Sequence, residues 1–196
     1  MAHKNELTPA DILPWADYAK QRAEHRRRVG AMKRQRRLEV GPYVTFYFES
    51  YETMWLQVQE MLHIEKGGAA QLEDELAAYN PLIPNGAELV ATFMIEIDDE
   101  PRRRRVLAGL GGVEETAFIQ IGAERIVADP EADQDRTTAE GKASAVQFVH
   151  FPFGQAQIAA FKTQGAQVIL GFSHPAYSHM ALMPEAVRAE LVGDFG

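Results

Sequence analysis

An α+β protein with a mainly antiparallel sheet is the fold class this sequence predicts, and three observations predict it. Segments rich in β-branched and aromatic residues outnumber the helical ones. Most consecutive pairs of such segments are joined by too little chain for the helix of a parallel crossover. A long Ala-, Lys-, Arg- and Glu-rich run fills the N-terminal region. A doubly wound α/β fold is the alternative. At 196 residues, 46% of them hydrophobic, the chain can bury a substantial core, so one domain over residues 1–196 is expected. A basic helical segment at 8–37 would precede an α+β body at 38–196.

Thr8, Pro9 and Asp11 combine capping side chains with an early proline, and from there to about Arg37 only Gly30 interrupts good helix formers. One or two helices are expected there. Residues 38–49 switch to β-branched and aromatic side chains around Gly41-Pro42, which predicts two short strands or one bent strand. Ser50 then caps a helix with Met54, Trp55, Val58, Met61 and Leu62 on one face, and Gly67-Gly68 stops it. A second helix over about 69–79 leads into residues 80–86, where Pro81 and Pro84 exclude regular structure; a strand over 88–97 follows.

Asp98, Asp99 and Glu100 before Pro101 mark a helix N-terminus, with Arg102 to Arg105 inside a helix that ends by Gly111. Strands are expected at 116–121 and 124–128 around Gly122, then a polar loop at 129–143. The strand at 144–151 is apolar on both faces and is expected at the centre of the sheet. A short helix at 154–164, a strand at 166–172 and a helix at 184–192 complete the reading.

Composition removes several functions. The chain has no cysteine, which excludes a thiolate nucleophile, a disulfide framework and cysteine-held zinc or iron–sulfur centres. Its longest apolar runs fall far short of the roughly 20 residues of a membrane span. MAHKNELTPADIL lacks a signal-peptide apolar run, so a cytoplasmic protein is expected. The net charge of −8 disfavours non-specific nucleic-acid binding, but residues 1–41 carry +5, leaving −13 on the rest.

FYFESYETMWLQVQEMLHIEK, ELAAYNPLIPNGAELVATFMIEI, SAVQFVHFPF and GFSHPAYSHMALMPEAVRAELVGDF occur in an order that resembles the bacterial family of unknown function numbered 3501, over nearly the whole chain. The resemblance implies architecture more than activity. It also implies a cytosolic protein whose relatives' genes can lie beside those of rubrerythrin-like and iron–sulfur oxidoreductases, hence redox or peroxide-stress work with a partner. A basic residue is expected in that family at the position of His63, which counts against an essential ligand there.

The densest group of reactive side chains is His174, Tyr177 and His179, on a Pro175 turn at the end of a strand. His174 and His179, with His150 as a third ligand, suit iron or zinc. Their spacing matches no recognised zinc pattern, and the competing reading is a turn hydrogen-bonded by His174 and Tyr177. Glu60 and His63 have the Glu-x-x-His spacing of di-iron bundles, but at 100° per residue from Val58 they fall at about 200° and 140°, away from the core, so both are expected in solvent. Glu65 falls at about 340°, inside the apolar stripe, where a carboxylate needs a partner; it is expected to be buried or at a frayed, solvated helix end.

Arg22, Arg26, Lys33 and Arg37 lie within about 60° of one helical face and could grip a phosphate-bearing ligand or an acidic redox partner, face water, or dock against the acidic remainder of the chain itself. Gly109, Gly111 and Gly112 make no phosphate loop, and no Gly-x-Ser-x-Gly elbow occurs. The reading that follows is a non-catalytic binding or accessory protein using the basic helix. Its competitor is a metal-dependent enzyme centred on His174 and His179.

Overall fold

Good helix formers make α1, Trp15–Gln35, the longest element of the computed structural model, which describes residues 4–131 and 142–196. Asp17 in its first turn and Lys33 and Arg34 in its last complement the helix dipole. The chain then leaves helical geometry at Arg36 and enters β1, Arg37–Val40. A tight turn at Gly41 leads to β2, Val44–Phe48. Gly41 has φ +69°, and a Cβ there would come within 2.7 Å of the His179 ring and the Tyr177 hydroxyl. Both the backbone and the space therefore demand glycine.

Ser50 and Thr53 exchange side-chain hydrogen bonds to each other's backbone N–H, capping α2, Tyr51–Glu65. Lys66, with φ 58°, closes it in the left-handed conformation, and α3, Gly68–Tyr79, follows. After β3, Glu88–Ile95, the Asp99 carboxylate accepts from Arg102 N–H to start α4, Glu100–Ala108. The remaining elements are β4 (Ala117–Ile121), β5 (Glu124–Val127), β6 (Asp129–Pro130), β7 (Val146–Pro152), α5 (Gln155–Lys162), β8 (Val168–Phe172), β9 (Met180–Leu182) and α6 (Glu185–Leu191).

These strands form two antiparallel sheets, ordered β1-β2-β3-β7-β6 and β5-β4-β8-β9. Alternation along each strand sends Phe46, Phe93 and Phe151 from the first sheet into one core with Ile119, Leu170 and Phe172 of the second. The Phe172 ring sits 5.2 Å from Phe46 and 5.3 Å from Phe93. The opposite face of the five-stranded sheet offers Val90 and Phe148 to Tyr18, Met54, Trp55, Val58 and Leu76 of α1, α2 and α3. A layer of helices thus covers one sheet, which covers the other.

The α+β class and the antiparallel pairing agree with the sequence reading, with two sheets in place of one. β3 holds the middle of the larger sheet, and β7 lies one strand further out, beside the two-residue β6. Apolar residues on both faces of β7 reflect cover from the helices on one side and the second sheet on the other. β6 and β9 are too short to leave a pattern, and most of the polar loop expected at 129–143 lies outside the described residues. Among the described residues, no helix is long and apolar enough to cross a membrane.

Candidate functional site

α1 buries little of itself, only Tyr18 and Val29, so its contact with α2 rests on rings and charges as much as on aliphatic packing. The Tyr18 hydroxyl donates to Glu60 Oε1 at 2.5 Å, and Arg22 grips the same carboxylate with Nε and Nη2, each at 2.8 Å. Arg26 stands 3.8 Å from it. The Arg22 guanidinium, against the opposing effect of burial, holds the Glu60 carboxyl down at about 2, while burial and Glu60 push the Tyr18 phenol up. Around this node, Trp15 stacks on His63 at 5.3 Å, Tyr18 meets His63 edge-on at 5.8 Å, and His25 meets Trp55 at 4.8 Å. Trp15 is 50% exposed, yet its indole N–H donates to the His63 carbonyl at 3.3 Å, which fixes the ring at the surface.

Beside these rings lies a cavity of about 500 Å³ between α1, α2 and α3. Leu13, Leu62, Leu72, Trp15 and Tyr18 make it mostly apolar; Gln59, His63 and Lys66 supply its polar groups. Gln59 is only 2% exposed, and its carboxamide Nε2 has no hydrogen-bond partner. His63 Nδ1 is likewise buried without one. Lys66 Nζ sits 5.3 Å from the centre of the Trp15 ring at the rim. Buried polar atoms are nearly always paired in native proteins, so two orphans on one apolar wall single out this cavity.

The family described as a protein of unknown function, DUF3501, matches residues 6–195. The chain belongs to this family. A crystal structure of a protein of unknown function from Burkholderia pseudomallei K96243 is similar at 37% identity, with a TM-score of 0.89, covering 97% of this chain and 99% of that one. Among curated proteins, none matches.

In this DUF3501 chain the residues singled out from sequence are scattered. Arg22 and Arg26 bind Glu60 on the chain itself. Lys33 is near the end of α1, and Arg37 belongs to β1, 3.4 Å from Glu39, because the helix has already ended at Gln35. Glu60 and His63 are half-buried rather than fully in solvent: α1 covers the side of α2 that the apolar count left to water. Glu65 is exposed, accepting from Gln71 Nε2 at 3.0 Å, because the apolar stripe runs out in the last turn. It is therefore not a buried charge.

The expected histidine cluster does not assemble. His174 and His179 flank the turn between β8 and β9, whereas His150 is on β7 of the other sheet, with Nδ1 3.0 Å from Glu88 and Nε2 2.9 Å from Glu131. His174 spends both ring nitrogens on backbone, accepting from Ala176 N–H and lying 3.2 Å from the Gly111 carbonyl. Tyr177 donates to the Val40 carbonyl at 2.8 Å and accepts from Tyr43 N–H at 3.1 Å, tying the two sheets together. Among the described residues, no group of three or more His, Asp or Glu side chains is placed to hold a metal ion. Missed from sequence were Trp15, Tyr18 and Gln59, whose meeting depends on how α1 crosses α2; an aromatic pair three residues apart at a helix start was the only signal.

Proposed function

We propose that the protein is a small-molecule binding protein whose ligand is a flat, largely apolar molecule carrying a carboxylate or another hydrogen-bond acceptor. The observation that carries this reading is the unpartnered Nε2 of the buried Gln59 in a mostly apolar cavity. An unsatisfied buried donor costs about 1–3 kcal/mol, which an acceptor on the ligand would recover. Trp15, Tyr18 and the leucines suit an aromatic ring system, and Lys66 at the rim suits an anionic end. A cavity of about 500 Å³ has the size of an ordinary small-molecule site. The redox setting implied by the family resemblance is not used by any residue of the cavity.

Titration calorimetry with 2-naphthoate tests this. Saturable binding is expected, weakened at least about tenfold in Gln59→Leu, the loss of one well-made hydrogen bond. Because the substitution removes an orphan donor, its folding stability should be unchanged or higher. Equal binding of 2-naphthoate by wild type and Gln59→Leu overturns the reading.

A further inference from the structure

The far end of α1 carries a second cavity of different chemistry. It has a volume of about 330 Å³ and is walled by Gly30, Lys33 and Arg34 of α1, Arg37 and Tyr47 of the paired strands β1 and β2, Glu49 and Met94. Tyr18, at the first cavity, and Lys33 are 15 residues apart on the helix, about 22 Å along its axis.

Glu49 is the unusual member. It is 4% exposed, and one carboxylate oxygen accepts from the Thr92 hydroxyl at 2.7 Å while the other, Oε2, has no partner. Its backbone is fixed on both sides: its N–H donates to the Val90 carbonyl, and its carbonyl accepts from the guanidinium of the buried Arg36, which is also paired with Asp194. The carboxylate therefore cannot move out to water with its strand. At the rim, Lys33 and Arg34 have no ion-pair partner among the described residues, and Arg37 has only the exposed Glu39. Tyr47 turns its hydroxyl to Glu96 at 3.2 Å.

Three cations alone would invite an anion, but a buried carboxylate in the same wall repels one unless the ligand brings a cation of its own. Conversely, a simple ammonium would meet Glu49 at the cost of three positive charges nearby. Both objections vanish for a molecule that carries both charges. We propose that this cavity binds a compact zwitterion, its ammonium group against Glu49 Oε2 and its carboxylate or phosphate on Lys33, Arg34 and Arg37. The unbranched side chains of Lys33 and Met94 are the parts of the wall that can shift to admit it.

Titration calorimetry with O-phosphoethanolamine, β-alanine, inorganic phosphate and ethylammonium tests the site. At least one zwitterion is expected to bind about tenfold or more tighter than both single-charge probes, and the better of the two names the anionic group. That binding should disappear in Glu49→Gln, which keeps the shape and the Thr92 contact, and in Arg34→Glu, whose exposed side chain can be reversed without unfolding the chain. If Glu49→Gln fails to fold, Arg34→Glu and Lys33→Met decide the matter. Inorganic phosphate binding as tightly as O-phosphoethanolamine overturns the proposal in favour of a plain anion site. Failure of both zwitterions to bind overturns it as well, and neither result touches the 2-naphthoate site at the other end of α1.

Discussion

The core between the two sheets and the core beneath the helices are built on different terms. The first interlocks Phe46, Phe93, Phe151 and Phe172 with aliphatic strand residues. The second mixes Tyr18 and Trp55 with His25, Gln59 and His63, leaves buried nitrogens unpaired on those three, and borders an open cavity. Close packing is what stability selects. Tolerated orphans beside a cavity have no such explanation in the folded chain alone, so the helix layer is where function is to be sought.

The contrast can be broken first at its strongest point. Phe46→Ala should cost about 3–5 kcal/mol in chemical denaturation, since the rings of Phe48, Phe93, Phe151 and Phe172 all lean on it. A loss below about 2 kcal/mol would mean the inter-sheet core collapses into the gap and is no tighter than the helix layer. Within the helix layer, Glu60→Ala should cost about 1–3 kcal/mol by leaving the buried Tyr18 hydroxyl and Arg22 without their acceptor, and Glu60→Gln less. Because the folded-state value of Glu60 is depressed from 4.5 to about 2, this contribution is present above 4.5 and is lost as pH falls toward 2.

His150 tests an intermediate case, a charge at the border of the larger sheet. Its hydrogen bond to Glu88, and then that to Glu131, raise its titration above the ordinary 6.5 against the opposing effect of burial. The imidazolium therefore stabilises the fold fully below 6.5, and the contribution disappears as pH rises through the raised value. The stability difference between wild type and His150→Gln should shrink across that range; a difference that grows with pH would refute the bridge. Smallest of all, Glu65→Ala should change stability by less than about 0.5 kcal/mol, as an exposed helix-end residue. A large loss there would return Glu65 to the interior.

Local pattern determined much of this protein. β-Branched and aromatic runs in residues 44–48 and 88–95, the Ser50 cap and the Asp99 cap each act within a few residues, so strands, helices and antiparallel class could be read directly. The turn at His174 closes locally through the Tyr177 N–H to the His174 carbonyl and the Ala176 N–H to the His174 ring, but the Tyr177 hydroxyl reaches Val40 and Tyr43 on the other sheet. The candidate site was beyond such reading. Counting angles on α2 assumes one covered face, but α2 is buried by the sheet on one side and by α1 on another, and α1 is too polar to announce that it covers anything. Glu60 was sent to water by its own helix and brought back by Arg22, thirty-eight residues away. Glu49, fixed between Val90, Thr92 and Arg36, shows the same limit in the sheet. Which charges and rings meet is a matter of crossing helices and strand register, interactions between distant segments that only the tertiary structure decides.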